Sequence, residues 1–289
     1  MKKKVRFILN PHSGMFSKKS LLMQLTSSVG KEFDSEILVT NGKGDAYQIA
    51  KKSVDLGFDA VVSVGGDGTN HEIGQALVNT NVALGMIPSG SGNGLARHLK
   101  IPKDFHESLQ ILKRFNVQSI DTIKVNNAYV LGIAGVGFDA HIAWKFEDSK
   151  IRGPLSYIKW ILQEYPLYKE KTYELIIDGQ PLEKKGLIVS FANGSQYGND
   201  FKIAKEAVMN DGIMQVVILK TPPVYELPEI LVRFKNGSLI DSKYYESISC
   251  KEVILKTKKI QAHLDGEPVF FENETKFEIH PHSLNVIIP

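Results

Sequence analysis

The spacing of apolar residues changes repeatedly along the first half of the chain and predicts strands that alternate with helices. Short apolar runs predict buried strands, and apolar residues three or four positions apart predict helices. The predicted strands are residues 5–9, 35–40, 60–64 and 83–87, and the predicted helices are residues 20–29, one after Gly44-Asp45 and one from Thr69. Strands that alternate with helices predict an α/β domain with a parallel sheet.

Small polar residues follow each of these strands. They form four segments: Asn10 to Gly14, Thr40, Gly65 to Asn70, and Ser89 to Asn93. Parallel sheets bind ligands beyond the carboxyl ends of their strands, so the four segments are expected to line one crevice. The glycines from Gly65 to Gly68 suit a phosphate-binding turn at a helix N-terminus. Asp67, however, occupies the place that a lysine has in the familiar nucleotide loop.

The pattern changes near residue 128, where short β runs become the rule. The runs are 123–125, 129–133, 173–177, 187–191, 214–219 and 253–257, and two clear helical candidates interrupt them at 157–164 and 226–234. We therefore predict a β-rich second domain. The predicted domains are residues 1–127 and 128–289, and the C-terminal strand is left free to return to the first domain.

Composition limits the class of protein. A chain of 289 residues with 43% hydrophobic content is large enough for two compact domains. The single cysteine excludes an internal disulfide, and no apolar run approaches the roughly 20 residues that a membrane-spanning helix needs. The N-terminal apolar run is too short for a signal peptide, so we predict a cytosolic protein. A net charge of +3 with scattered lysines argues against nucleic acid and favours contact with an anionic membrane surface.

Several motifs, taken in their order, resemble the catalytic domain of diacylglycerol kinases and sphingosine kinases. In the first half they are Asn10-Pro11-His12-Ser13-Gly14, Gly65-Gly66-Asp67-Gly68-Thr69 with Glu72, and Pro88-Ser89-Gly90-Ser91-Gly92-Asn93-Gly94-Leu95-Ala96-Arg97. In the second half Asn193-Gly194, Tyr197-Gly198, Ile203-Ala204, Asp211-Gly212 and Asp265-Gly266-Glu267 resemble the bacterial soluble form of the same family.

The resemblance implies a nucleotide-binding α/β domain of the NAD kinase and diacylglycerol kinase type, followed by a β-sandwich domain for the lipid substrate. It implies an enzyme that uses ATP and Mg²⁺ to phosphorylate a hydroxyl of diacylglycerol, a sphingoid base or a related lipid, peripheral to the inner face of the membrane. The candidate cofactor-binding residues are Asn10, Pro11, Ser13, Gly14, Thr40, Gly65, Gly66, Asp67, Gly68, Thr69, Asn70, Glu72, Ser89, Gly90, Ser91 and Asn93.

The resemblance also implies roles for the acidic residues. Phosphoryl transfer relies on cations that neutralise developing charge, and Mg²⁺ binds carboxylate oxygens, so Asp67 is expected to act through the metal. Asp265 is implied as the general base for the lipid hydroxyl, with Glu267 and Asp121 completing the acidic network around Mg²⁺. Some bacterial relatives hold a second, structural Mg²⁺, and the corresponding ligands here are Asp211 and the carbonyls of Val208 and Ile213.

Other interpretations of these residues stay open from the sequence. Asp265-Gly266 between apolar runs is typical of a hairpin turn, and Asp121 alone predicts a surface turn residue. Ser13 and Ser91 are also candidates for helix caps. The apolar helix with Leu155, Tyr157, Ile158, Trp160, Ile161 and Leu162 fits either an acyl-chain cleft or ordinary core. An NAD kinase and a non-catalytic nucleotide or lipid sensor are the alternative functions, Gly94 leaves the headgroup preference open, and a homodimer is left open.

Overall fold

The computed structural model describes residues 2–13, 18–147 and 154–289. The chain divides into two compact units. Unit 1 comprises Met1–Ile120 together with His282–Pro289, and unit 2 comprises Asp121–Pro281. The division into functional domains at residue 127 stays a prediction.

Unit 1 is built on a parallel sheet with helices between its strands. The strands are β1 (Lys4–Leu9), β2 (Asp34–Val39), β3 (Ala60–Gly65) and β4 (Ala83–Pro88), and the helices are α1 (Lys18–Glu32), α2 (Asp45–Asp55), α3 (Asp67–Leu77), α4 (Gly94–His98) and α5 (Phe105–Arg114). The strand order is β2-β1-β3-β4, and every pair is parallel. The C-terminal strand returns to this sheet, where Val286 pairs with Leu84 in parallel.

The two central strands of unit 1, β3 and β4, are buried along their whole length. Their apolar runs are continuous because helices cover a parallel sheet on both faces. Helix α5 packs on β4 at Gly85, where an added Cβ would lie 2.6 Å from Leu112 Cδ2 and 2.9 Å from Val62 Cγ2. Glycine at this strand position therefore permits the close approach of the helix.

Unit 2 is rich in antiparallel strands. These are β5 (Val117–Val125), which begins in unit 1, β6 (Ala128–Val130), β7 (Ile133–Gly137), β8 (Lys171–Ile177), β9 (Gln180–Gly186), β10 (Ile188–Ala192), β11 (Met214–Leu219), β12 (Tyr245–Cys250), β13 (Glu252–Leu264) and β14 (Glu267–Ile287), which ends in unit 1. The helices are α6 (Phe138–Glu147), α7 (Pro154–Glu164) and α8 (Leu227–Asn236), with single 3-10 turns at Tyr165–Leu167, Val224–Glu226 and Leu239–Asp241.

The strands of unit 2 follow the order β12-β11-β10-β7-β13-β14. Strand β13 has β8 as a further neighbour, since β8 pairs with its first part whereas β7 pairs with its last three residues. All five residues of β10 are buried because each of its faces packs on a separate apolar cluster. One cluster contains the stacked rings of Phe191 and Phe277, whose centroids are 3.8 Å apart, and the other contains Phe138 and Phe234.

The predicted fold class is confirmed, and several element boundaries differ from the prediction. Helix α3 begins at Asp67 rather than at Thr69. The predicted strand 129–133 is two strands, β6 and β7. The expectation of two helices in the second half is wrong, since α6 is a third. Its residues carry no clear apolar stripe, because Asp139 is among the buried ones.

Helix α7 contains the apolar residues for which a lipid cleft and the core were both considered. Trp160 and Ile161 are partly buried against the apolar cluster that includes Phe138, whereas Leu162 is 55% exposed. The side chains of Leu155, Tyr157 and Ile158 lie outside the described residues. Within the part of the chain that the structure describes, no helix has both the length and the apolar composition needed to cross a membrane.

The cap of helix α5 provides a test of local stability. The Asp104 carboxylate accepts a hydrogen bond of 2.9 Å from the Glu107 N–H at the start of this helix. Asp104→Ala removes this acceptor and should lower the free energy of unfolding by about 1 kcal/mol. Urea unfolding measures the change, and Asp104→Ser should restore most of the loss. Equal stability of the alanine and serine variants would contradict the assignment of this cap.

Candidate active site

The loops after β1, β3 and β4 are joined by hydrogen bonds at the carboxyl edge of the unit 1 sheet. The Asn10 side-chain amide donates to Thr69 Oγ1 over 3.0 Å. The hydroxyls of Ser13 and Ser89 are 3.0 Å apart, and the Ser89 N–H donates to the Gly65 carbonyl over 2.9 Å. Three of the four predicted segments are thus brought together, although they are up to 76 residues apart in sequence.

Two glycines set the separation of the loops after β3 and β4. A Cβ added at Gly90 would lie 2.5 Å from Gly66 Cα, and one added at Gly66 would lie 3.1 Å from Gly90 Cα. Asn93 holds the second loop closed, since its side chain accepts from the Gly90 N–H at 3.0 Å and donates to the Gly90 carbonyl at 2.7 Å. The two backbones therefore meet with no side chain between them.

Helix α3 starts directly at this junction, with Gly66 as its N-cap and Asp67 as its first residue. The first turn of a helix leaves backbone N–H groups without intrahelical acceptors, and such groups bind anions. Thr69 and Asn70 are buried below the turn, and a Cβ at Gly65 would lie 2.5 Å from Thr69 Oγ1. This arrangement suits a phosphate group close to the backbone, with Asp67 as the first residue of the helix.

The remaining predicted cofactor residues of unit 1 have mixed settings. Buried Thr40 follows β2, and its N–H donates to the Leu9 carbonyl. Glu72 accepts from the N–H groups of Gly44 and Ala46 at 2.8 and 3.1 Å, so its carboxylate caps the start of α2. Pro11 lies in the turn after β1, and Gly14 lies outside the described residues. Binding roles for these residues stay predictions.

The helix cap considered at Ser91 is wrong. The N-cap of α4 is Asn93, which has a positive φ of 53°, and Ser91 is exposed in the preceding loop. Ser13 lies in a turn, where its N–H and its hydroxyl both donate to the Asn10 carbonyl. The polar groups of Ser13 thus bind the loops after β1 and β4 and do not cap a helix.

Asp265 in unit 2 is a hairpin residue, as the sequence pattern indicated, and its side chain has a further set of partners. Asp265 and Gly266 form the two-residue turn between β13 and β14, with φ values of 50° and 89°. The carboxylate accepts three backbone hydrogen bonds, from Leu131 N–H at 2.9 Å, Gly132 N–H at 2.7 Å and Ile133 N–H at 3.1 Å. The turn is thereby fixed to the segment between β6 and β7.

Asp121 is completely buried, which contradicts its interpretation as a surface turn residue. Its Oδ2 accepts from the Gly212 N–H at 2.7 Å, and its own N–H donates to the Met209 carbonyl. The Asn193 side-chain amide donates to the carbonyls of Asp121 and Leu131, at 2.7 and 2.9 Å. Asn193 therefore ties Asp121 to the segment that holds Asp265.

The predicted structural metal ligands lie in the loop that Asp121 holds. Asp211 Oδ1 accepts from the Ile213 N–H at 3.0 Å, and Val208 is 47% exposed.

Glu267 is the partly buried first residue of β14. Among the described residues, no three His, Cys, Asp or Glu side chains are grouped as a metal ion would require. Mg²⁺ usually binds one or two carboxylates with water and phosphate oxygens, so oxygen donors such as these suit it.

Two buried residues near the Asp265 turn, Asp139 and His263, are not among the candidates predicted from the sequence. Asp139 Oδ2 and His263 Nε2 are 3.1 Å apart, and both residues are nearly inaccessible to solvent. Burial, followed by the Asp139 charge, raises the pKa of Tyr168 to about 12. Gly135, in the interior of β7, is the sequence signal for this pair, because a strand glycine often marks a close approach.

Comparisons with known proteins agree with this architecture. Residues 4–125 match the diacylglycerol kinase catalytic domain, and residues 132–288 match the YegS C-terminal NAD kinase beta sandwich-like domain. A diacylglycerol kinase of Bacillus subtilis is 28% identical over 92% of this chain and 90% of its own. A probable lipid kinase YegS-like protein of Pectobacterium atrosepticum is 27% identical over 88% of this chain and 86% of its own.

A solved structure shares the fold. The crystal structure of a putative diacylglycerol kinase from Bacillus anthracis has a TM-score of 0.82 and 21% identity, with 100% of this chain and 98% of that chain covered. The kinase catalytic domain and the relatives named as lipid kinases make the chain a phosphotransferase with an alcohol group as acceptor. The chain belongs to the family of lipid kinases that includes the diacylglycerol kinases and the YegS-like lipid kinases.

The contact between the two glycines can be tested by adding one methyl group. Gly90→Ala places a Cβ against the Gly66 backbone, which cannot move aside as a flexible side chain could. We expect the free energy of unfolding to fall by about 1–3 kcal/mol. Gly42→Ala is the matched control, because nothing lies within 4 Å of its added Cβ. Urea unfolding measures the free energy of unfolding of both variants. Equal values would show that the loops after β3 and β4 can move apart to accommodate the methyl group.

Proposed function

We propose that this lipid kinase transfers the γ-phosphoryl group of ATP, in the presence of Mg²⁺, to a hydroxyl of diacylglycerol, a sphingoid base or a related lipid. The observation that carries the proposal is the joined set of loops in unit 1, where the Asn10 to Thr69 and Ser13 to Ser89 contacts surround the start of α3. Phosphoryl transfer depends mainly on positioning and on neutralisation of charge, and these loops offer backbone N–H groups for the phosphates.

Mg²⁺ would be held through the Asp67 carboxylate, with Asp121 and Glu267 as further acidic members of the network. When bound, the cation neutralises charge on the phosphate oxygens. A structural Mg²⁺ at Asp211 with the carbonyls of Val208 and Ile213 is part of the same proposal. Its support is the attachment of this loop to buried Asp121 through the Gly212 N–H.

Asp265 would accept the proton of the lipid hydroxyl as the hydroxyl oxygen attacks the phosphoryl group. A general base must lie within hydrogen-bond reach of its proton and must keep its orientation. Three backbone N–H groups orient the Asp265 carboxylate, from Leu131, Gly132 and Ile133. These contacts support a fixed position for the acceptor oxygens.

The lipid itself is assigned as a class. The relative from Bacillus subtilis is named a diacylglycerol kinase, which supports a diacylglycerol headgroup. The loop Gly90-Ser91-Gly92-Asn93-Gly94 resembles that of sphingosine kinases, which keeps a sphingoid base among the candidates. A homodimer stays a prediction.

Exposed apolar side chains on two loops of unit 2 support a peripheral position at the membrane. Leu167 is 76% exposed, Val224 62% and Tyr225 81%. The Tyr165 hydroxyl donates to the Pro222 carbonyl, so the two loops are neighbours. Apolar side chains in such loops can enter the interfacial region of a bilayer.

Lysines on the same segments favour an anionic bilayer. Lys169 and Lys220 are exposed next to these loops, and exposed Lys243 pairs with Glu226 beyond the second loop. Basic side chains near a membrane surface each add about 1 kcal/mol of attraction to anionic lipid. We therefore propose that this face of unit 2 contacts the inner face of the membrane.

The activity is tested by transfer of radiolabelled phosphate from ATP to lipids in micelles, resolved by chromatography. The panel contains diacylglycerol, a sphingoid base and, as the alternative acceptor, NAD. Asp67→Asn should lower kcat by at least about 100-fold, because it removes the negative charge proposed to hold Mg²⁺. A loss below about tenfold, which corresponds to only ~1.4 kcal/mol of barrier, would be too small for that role. Removal of Mg²⁺ by a chelator should abolish transfer by the wild type.

Asp104→Asn is the matched control for Asp67→Asn, because it removes the same charge at another helix start of unit 1 while an asparagine can still cap α5. It should retain wild-type kcat. Near-full activity of Asp67→Asn would remove the metal role of Asp67. Transfer to NAD alone would replace the lipid kinase proposal, and no transfer to any acceptor would favour a sensor.

Membrane contact is tested by sedimentation with vesicles that contain phosphatidylglycerol. Wild-type protein should sediment at low salt and be released as rising ionic strength shortens the Debye length. The double variant Leu167→Ser/Tyr225→Ser should partition at least about tenfold less, because each apolar side chain contributes about 1.5–3 kcal/mol when fully buried. Met23→Ser, which changes a 63% exposed residue of unit 1, is the control. Vesicle binding that changes neither with salt nor with the double substitution would contradict the proposal that this face of unit 2 contacts the membrane.

A further inference from the structure

A buried chain of polar groups in unit 2 ends at the hairpin that carries Asp265. It begins at Asp139, in the first turn of α6. Asp139 Oδ2 accepts from the Tyr197 hydroxyl at 2.8 Å and from His263 Nε2 at 3.1 Å, and the Ser190 hydroxyl donates to the Tyr197 oxygen at 2.6 Å. Its Oδ1 accepts from the Ala140 N–H at 2.7 Å. A buried carboxylate needs such donors, and this one has them for both oxygens.

The proton positions on His263 follow from its two partners. The Gly266 N–H donates to His263 Nδ1 over 3.3 Å. Because a backbone N–H can only donate, Nδ1 must be the acceptor, and the proton of the neutral ring is on Nε2. Nε2 therefore donates to Asp139, which fixes both the tautomer and the direction of the ring.

The backbone makes space for the pair at one position. His263 on β13 is the cross-strand neighbour of Gly135 on β7. A Cβ at Gly135 would lie 2.4 Å from Asp139 Oδ2 and 2.8 Å from His263 Nε2. The carboxylate and the ring thus meet over a strand position that has no side chain.

The two residues of the turn are held by different partners. Asp265 is held through its side chain by the segment from Leu131 to Ile133, and its N–H donates to the Ile133 carbonyl at 2.9 Å. Gly266 is held through its N–H by His263. Both turn residues have positive φ, which costs energy for a residue with a Cβ such as Asp265. The peptide that follows Asp265 is therefore fixed by the chain that begins at Asp139.

We propose that Asp139 and His263 are positioning residues for phosphoryl transfer, which act by fixing the Asp265-Gly266 turn. The inference rests on the proposed function, in which Asp265 is the base. An apolar pair of similar volume could stabilise a core as well as a buried polar pair does. The hydrogen bonds between Asp139 and His263 and between His263 and Gly266 also orient the turn, which an apolar pair could not do.

Two substitutions at His263 separate its contacts. Asparagine places a carboxamide oxygen near the position of Nδ1, so His263→Asn keeps an acceptor for the Gly266 N–H. Glutamine places its amide near Nε2, so His263→Gln keeps the donor to Asp139 and loses the acceptor. His263→Gln should lower kcat about 10- to 100-fold with the KM for ATP unchanged, as expected for a misplaced catalytic group. His263→Asn should lose less than about fivefold.

A second measurement reports on the turn directly. Hydrogen exchange of the Gly266 amide should accelerate in His263→Gln and stay slow in His263→Asn. The control is His141→Gln, because His141 also pairs with a carboxylate, that of Glu164 at 2.7 Å, in the same unit. This control should leave kcat and Gly266 exchange unchanged.

The outcomes distinguish this inference from the proposed function. Activity of Asp265→Ala near that of the wild type would remove the base itself. If Asp265→Ala is inactive while His263→Gln has wild-type kcat and slow Gly266 exchange, the positioning role alone is overturned. Should the His263 variants fail to fold, long-range ¹H–¹⁵N spectra of the wild type remain decisive. They should show protonated Nε2 and acceptor Nδ1, and the opposite tautomer would overturn the chain of hydrogen bonds.

Discussion

The convergence of three backbone N–H groups on the Asp265 carboxylate is the contact on which the candidate site of unit 2 depends. The donors, from Leu131 to Ile133, lie where the chain passes from β6 to β7, and largely buried N–H groups there need acceptors. The carbonyls of the same segment accept from Asn193 and Gly194, and Asn193 also binds the Asp121 carbonyl. Asp265, Asp121 and the loop of Asp211 are therefore positioned through one short segment of irregular backbone.

Unit 1 reaches its arrangement through the absence of side chains. Gly66 and Gly90 face each other so closely that either Cβ would contact the opposite backbone, and Gly65 leaves space for Thr69. Hydrogen bonds of the Asn10 and Asn93 side chains then hold the loops. Partly accessible backbone at a helix N-terminus results, and such a surface attracts phosphate more than it attracts an apolar ligand.

Local patterns predicted the sheet of unit 1 because each signal lies within one element. The continuous apolar runs of β3 and β4 and the glycines that follow β3 are local, and the alternation with helices predicts parallel strands. Asp121, Asp139 and Asp265 are different, because each has a partner at least 91 residues away along the chain, and the most distant is 134 residues away. Asp121 has the composition of a turn residue, and only the fold shows that it is buried. Helix α6 was not predicted, because its buried Asp139 interrupts the apolar stripe by which a helix is recognised in the sequence.

Asp265 combines a structural role with a proposed chemical one, and this limits what its own substitution can show. Its Oδ1 accepts from Gly132 and Ile133 and its Oδ2 from Leu131, whereas an asparagine has a single acceptor oxygen. Asn-Gly suits the same turn, but Asp265→Asn therefore has a structural cost of its own. Its amide group would face a backbone N–H, and an unpaired buried donor costs about 1–3 kcal/mol. A fall in rate for that variant would mix a moved turn with a lost base. Substitution of His263 is the better test, because it alters the direction of the turn and leaves both acceptor oxygens of the Asp265 carboxylate in place.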